Sequence, residues 1–222
     1  MPLYRRSVDF PTLPGATVAT ARGIAASLLG DAMNRAGIME AAIRPVAPGT
    51  RLAGQARTVT AMAGDNGIIH AAIPLLRAGE VLVVDAARVE DVAVWGEIMT
   101  HAAMRRGVAG LVLDGAIRDV ADIKTMGFPV YCRAVVPRGP HKGFGGTIDA
   151  PIACGGVSVA PGDLIVGDDD GVAVVRLADV DRILAVAQAA QRHEAETIEK
   201  IKGGMTSAEL LGIAEPETIG GD

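Results

Sequence analysis

The chain is poor in aromatic residues and in cysteine, and these shortages narrow its chemistry. Phe, Trp and Tyr make up 3% of the residues, so few rings are available to stack on bases or sugars. The two cysteines, Cys132 and Cys154, lack CxxC spacing, which excludes a cysteine zinc site and a disulfide framework. The four histidines, at 70, 101, 141 and 193, form no HxH or HExxH pattern, which disfavours a zinc hydrolase. GxSxG, GxGxxG and the P-loop are absent. No Lys/Arg cluster exceeds two residues and the net charge is −5, so binding to nucleic acid through phosphate is not expected. No apolar run approaches the ~20 residues of a membrane span. The N-terminal arginines, Arg5 and Arg6, precede no apolar run of the signal-peptide kind. The expectation is a cytoplasmic protein whose partners are neither nucleic acid nor membrane.

What is present is aliphatic. Apolar residues form 50% of 222, enough for one sizeable core of Ala, Val, Ile and Leu. Residues 1–19, with Pro2, Pro11 and Pro14, read as an extended arm, packed on a neighbouring copy. Residues 20–202 read as one mixed α/β domain, and 203–222 as a polar tail with mobile last residues. Residues 20–36 read as one helix carrying Asp31, whose plain alternative is a solvated helix position. Residues 52–63 alternate as a half-buried strand with Gly54 as a bulge. Gly64-Asp65-Asn66-Gly67 is turn chemistry, and 68–76 a helix. Val81-Leu82-Val83-Val84-Asp85 and Leu111-Val112-Leu113-Asp114 are apolar runs that end in a carboxylate. A helix over 95–106 lies between them, which makes a parallel βαβ unit of about 30 residues. Beyond 128–132 the pattern changes to loops and short hairpins, with Asp168-Asp169-Asp170-Gly171 as a solvated turn. A long helix covers 178–202, and Thr206-Ser207-Ala208-Glu209 reads as a capping box.

The chain centres on Asp114-Gly115-Ala116-Ile117-Arg118-Asp119-Val120-Ala121-Asp122. It reads as a strand ending at Asp114, a tight turn, and a helix start dense in charge. Carboxylates without histidine favour a hard cation, Mg²⁺ or Mn²⁺. Asp119 and Asp122, three apart, could share one site, or could be ordinary helix-start acids. Arg118 beside a metal carboxylate makes a two-part receptor for an α-keto acid; otherwise it bridges to Asp114 or Glu97. Gly96-Glu97 opens a helix whose free amides attract anions. In 138–146, Arg138, His141 and Lys142 could meet a second carboxylate, or be plain surface charge.

Gly96-Glu97-Ile98-Met99, Gly110 through Asp122, and Pro161-Gly162-Asp163 through Gly171-Val172 together resemble the class II 4-hydroxy-4-methyl-2-oxoglutarate aldolases. That family shares its fold with RraA, the regulator of ribonuclease E activity. The resemblance covers roughly residues 20–200. It implies a compact α/β/α swivelling-domain fold, assembled as a trimer or hexamer with sites between subunits. It implies that Asp119 is the protein ligand to Mg²⁺ or Mn²⁺, that Arg118 holds the pyruvyl carboxylate, and that backbone amides of Gly96, Glu97, Ile98 and Met99 hold substrate. It further implies that Glu97, Asp31 and Asp122 orient the ion's waters, that Glu194 reaches a neighbour's site, and that Asn66 lines the pocket. The activity implied is cleavage of 4-hydroxy-2-oxo acids to pyruvate, with oxaloacetate decarboxylation beside it. The alternative is a regulator that binds a ribonuclease without catalysis. Asp122 argues for the enzyme, because the family's non-catalytic members lack an acid there.

Overall fold

The computed structural model describes residues 2–217 and 219. In chain order the elements are β1 (Leu3–Arg5), α1 (Gly15–Arg22), α2 (Ala26–Ala32), β2 (Arg44–Pro45), β3 (Leu52–Ala61), α3 (Gly67–Ala72), β4 (Val81–Asp85) and β5 (Ala93–Trp95). They continue as α4 (Glu97–Arg105), β6 (Gly110–Ile117), α5 (Val120–Met126), β7 (Val130–Val135), β8 (Gly146–Ile148), β9 (Ile152–Cys154) and β10 (Val157–Val159). Last come β11 (Leu164–Asp168), β12 (Gly171–Val175), α6 (Val180–Lys202) and α7 (Ser207–Leu211).

The central sheet runs β1-β8-β3-β4-β6-β7-β2. Its middle is parallel, with β3 on β4, β4 on β6 and β6 on β7. The expected βαβ unit is therefore present as β4–α4–β6, with β5 added along β6. The hairpin-rich half supplies β9–β10 and the β11–β12 ribbon, which joins β3 antiparallel. This is the expected mixed α/β architecture.

Successive side chains of a strand face opposite ways, and here both ways lead into core. Leu82, Val84, Leu111 and Leu113 pack with residues of α3, α4 and α5, including Ile69, Met99 and Ile123. Val81, Val83 and Val112 pack with Ile152, Val159 and Val172 on the other side. A third cluster sets Leu29 of α2 and Ile183 of α6 against Leu164 and Val175 of the ribbon. Among the described residues no helix is long and apolar enough to cross a membrane.

Several expectations are corrected. The helix over 20–36 is two helices, because Gly23 caps α1 and the chain turns before Ala26. The arm packs on its own sheet: β1 pairs with β8, and Arg5 Nε reaches Asp149 Oδ2 at 3.2 Å. β3 is buried on both faces rather than one. Its Arg57 can be buried because Asp149 takes Nε and Nη2 at 2.7 and 2.6 Å, while Glu80 lies 3.3 Å from Nη1. Gly54 continues the β3–β11 ladder instead of bulging; a Cβ there would collide with the Gly79 carbonyl. Trp95 belongs to β5, so α4 starts at Glu97. After α3, Ile73–Leu75 tightens to a 3₁₀ turn at Pro74. Asp168 is buried and accepts from Ala26 N–H at 2.8 Å, so the acidic turn caps α2 rather than only facing solvent. The Thr206–Glu209 capping box forms as expected. The expectation of mobility at the last residues falls mostly outside the described ones.

Candidate active site at the α4 and α5 starts

The strand of the central stretch does not stop at Asp114. β6 runs on to Ile117, and Asp114 sits inside it, almost wholly buried. The charge is accommodated by Arg133 Nε at 2.6 Å and Gly155 N–H at 2.8 Å. Arg133 in turn reaches Glu40 at 3.0 Å, which Arg88 also grips. Asp114 is thereby a structural acid, and Arg118 does not pair with it.

The turn comes at Arg118-Asp119. Asp119 takes left-handed dihedrals, φ 58° and ψ 39°, directly before α5. A left-handed non-glycine residue is an uncommon and mildly strained conformation, of the kind that gathers at functional sites. It aims the carboxylate back across the sheet edge toward α4. Oδ2 accepts from Glu97 N–H at 3.0 Å, so the anion attracted to the start of α4 is the chain's own Asp119. A Cβ on Gly96 would collide with that oxygen and lie 3.2 Å from Arg118 Cγ. Glycine is needed there for space. Arg118 Nε lies 3.5 Å from Asp119 Oδ2, and both side chains remain partly exposed.

Beside this pair is a cavity of about 330 Å³ lined by Arg118, Asp119, Val120, Val135, Val136 and Pro137. That volume suits a small acid. Glu97 is half-exposed, with His101 Nε2 3.6 Å from its Oε1. Ile98 is exposed and Met99 buried. Asp122 stands exposed in the first turn of α5. Asn66 is buried at the start of α3; its Nδ2 donates to the Val94 carbonyl at 3.1 Å and contacts Met99 Sδ at 3.4 Å. Its Oδ1 is the buried side-chain oxygen left without a partner among the described residues.

Asp31 and Glu194 are exposed on α2 and α6. These helices pack on one another and on the ribbon, away from the layer of α4 and α5. A single chain brings together Gly96, Glu97, Arg118 and Asp119, with Met99 and Asn66 behind them, and leaves Asp31 and Glu194 elsewhere. Among the described residues no three His, Cys, Asp or Glu gather as a metal cage. The donor set fits a hard cation held by one carboxylate and water, since Asp119 is accessible and fixed from one side by the Glu97 amide.

Sequence reasoning missed Asp65. Its carboxylate accepts from Gly143 N–H at 2.7 Å and Phe144 N–H at 3.1 Å. Burial raises its pKa, but the N–H groups of Phe144, Gly143 and Gly67 outweigh that and hold it below the usual carboxylate value. Turn chemistry explained this residue so completely that nothing in the sequence pointed further.

The RraA-like family model, described as Aldolase/RraA, matches residues 26–174. A Halalkalibacterium halodurans protein named "Putative 4-hydroxy-4-methyl-2-oxoglutarate aldolase" is 36% identical over 170 residues, 77% of this chain and 81% of that one. An uncharacterized Pseudomonas syringae protein superposes with TM-score 0.79 at 27% identity, covering 90% of this chain and 95% of that one. Streptomyces coelicolor RraAS2, titled an unusual member of the RNase ES inhibitor RraA protein family, gives 0.76 at 26%, covering 85% and 98%. The chain belongs to the RraA-like, Aldolase/RraA family.

Proposed function

We propose that the protein is a divalent-metal-dependent aldolase that cleaves 4-hydroxy-2-oxo acids, such as 4-hydroxy-4-methyl-2-oxoglutarate, to pyruvate and a second keto acid, and also decarboxylates oxaloacetate. The observation that carries this is the juxtaposition of Arg118, left-handed Asp119 and the α4 start on one small cavity. Mg²⁺ or Mn²⁺ held by Asp119 supplies Lewis acidity where charge develops on a keto oxygen. Arg118 presents a planar fork that suits a carboxylate in a bidentate grip. Gly96 allows close approach, and amides of Ile98 and Met99 lie at the positive end of α4. The Glu97 amide keeps the Asp119 carboxylate pointed at the cavity. Asn66 Oδ1 offers a buried acceptor for a substrate hydroxyl or water. Glu97 and Asp122, in the first turns of α4 and α5, are the acids assigned here to orient water or take a proton. When the C3–C4 bond breaks, its electron pair stays on the pyruvyl fragment and the C4 hydroxyl proton departs.

The reading includes assembly as a trimer or hexamer. The site is flanked by exposed Ile98 and Val135, and most of the C-terminal half of α6, with Glu194, is uncovered. On this reading a neighbouring copy, rather than the same chain, supplies Glu194 and Asp31 to the site.

Coupled detection of pyruvate tests the reaction. Oxaloacetate and a panel of 4-hydroxy-2-oxo acids should turn over with Mg²⁺ or Mn²⁺. EDTA should stop turnover reversibly, and Asp119→Ala should abolish it. Full activity in EDTA, with no metal in the purified protein, overturns the mechanism. The likeness to RraAS2 favours a second reading, a non-catalytic ribonuclease regulator. Inactivity across the panel together with tight ribonuclease binding selects it.

A further inference from the structure

Asp65 is wholly buried in the turn that opens α3, yet its reach extends far beyond that turn. Oδ1 accepts from Gly67 N–H at 2.8 Å, which is local turn chemistry. Oδ2 accepts from the amides of Gly143 and Phe144, 78 and 79 residues further along the chain. Two backbone bonds run alongside: Asn66 N–H donates to the His141 carbonyl at 3.1 Å, and His141 N–H to the Gly64 carbonyl at 2.8 Å. Residues 141–144 thus lie against the start of α3. There Lys142 comes close enough to His70 that burial and the Lys142 charge together hold the imidazole below its usual pKa.

The other end of this loop is anchored differently. Val136 N–H donates to the Ile117 carbonyl at 3.0 Å, and Ala93 N–H to the Arg138 carbonyl at 2.9 Å. Gly139 then passes so near Arg118 that a Cβ would lie 2.9 Å from Nη1. One loop therefore has two independent anchors. The near end borders Arg118 through sheet hydrogen bonds. The far end is held at His141 by the two backbone bonds to Gly64 and Asn66, and at Gly143 and Phe144 by the Asp65 carboxylate, a group able to accept several N–H groups at once. Asparagine has the same shape but one acceptor oxygen, and its amide would face an N–H donor.

We propose that Asp65 is a positioning residue for the site, clamping the far end of the 138–144 loop as the wall that meets the part of the substrate beyond its 2-oxo acid end. This rests on the 2-oxo acid reading above. Arg118 and Asp119 hold the end common to all such acids, so the clamp governs discrimination by the distal group.

Amide hydrogen exchange and kinetics on the full chain test it, with wild type compared to Asp65→Asn. The Gly143 and Phe144 amides should be protected in wild type and should exchange at least about tenfold faster in the variant, since their acceptor is weakened. KM for a long 4-hydroxy-2-oxo dicarboxylic acid should rise by about tenfold with a smaller change in kcat, while KM for the shorter oxaloacetate rises several-fold less. Unprotected Gly143 and Phe144 amides in wild type overturn the clamp without any variant, so the test survives a variant that fails to fold. Equal rises in KM for both acids, or a variant indistinguishable from wild type, also overturn it. A wild-type protein that turns over no 2-oxo acid overturns the proposed function instead, and the exchange rates then judge the clamp alone.

Discussion

Gly96→Ala separates the chemistry of the site from the stability of the fold. The Gly96 backbone is fully extended, φ −168° and ψ −166°, a conformation alanine adopts freely. The cost of the new methyl is therefore contact alone. It meets Asp119 Oδ2, and Arg118 Cγ and Nε at 3.2 and 3.4 Å. To regain ordinary separation, Oδ2 must retreat by about 1 Å, and a misplacement of that size at a reacting centre costs on the order of 10²-fold in rate. The hydrogen bond from Glu97 N–H is lost in the same movement. The Asp119 side chain is 35% exposed, so it can relieve the clash by turning into solvent. Overpacking relieved in that way costs under about 1 kcal/mol of stability. The measurements are kcat/KM for oxaloacetate with Mg²⁺ and a thermal melt of the same preparation. A roughly hundredfold loss of kcat/KM with a nearly unchanged melt is expected. Turnover within about twofold of wild type would refute the placement of Asp119 against Gly96, by the same reasoning on positioning. A large fall in melting temperature would refute the claim that the effect is local.

Other expectations follow from buried groups. Asp114→Ala strips Arg133 of its closest partner at a site where both side chains are almost wholly buried. Breaking such a pair costs about 3–5 kcal/mol, and the remaining bond to Glu40 puts this variant at the lower end in urea denaturation; a loss below about 1 kcal/mol would contradict the pairing. Burial pushes the Cys132 thiol up to about 12, and burial, then the Asp114 and Asp85 charges, push Cys154 up as well. A raised thiol pKa keeps the group neutral as pH rises, so at pH 8 Cys132 stays overwhelmingly a thiol. A thiol reagent at that pH should label neither cysteine in the native protein and both after denaturation; rapid native labelling would contradict the burial.

The parts that were legible in the sequence are those written in neighbouring residues. The runs at Val81–Asp85 and Leu111-Val112-Leu113 read as buried strands, and a helix between them favours parallel pairing. Turn and cap chemistry was legible for the same reason, as the Thr206 box shows. Apolar spacing runs on past Gly23, so the pattern over 20–36 spells one helix where the chain forms two; the break depends on how the two halves pack. A lone carboxylate at Asp114 looks like the end of a strand until Arg133 is beside it.

The sequence by itself determined the parallel α/β core and the adjacency of Arg118 and Asp119, since periodicity and chain neighbours need no folding to be read. The tertiary structure decided what each charge does. Asp114 became structural through Arg133, and Asp119 became the anion at the start of α4, 22 residues away from its Glu97 donor. Asp65 became the clamp of a loop 78 residues distant. Asp31 and Glu194 were left on the other helical layer. A carboxylate's role is set by the donor it meets when water is excluded, and those donors come from parts of the chain that only folding brings together.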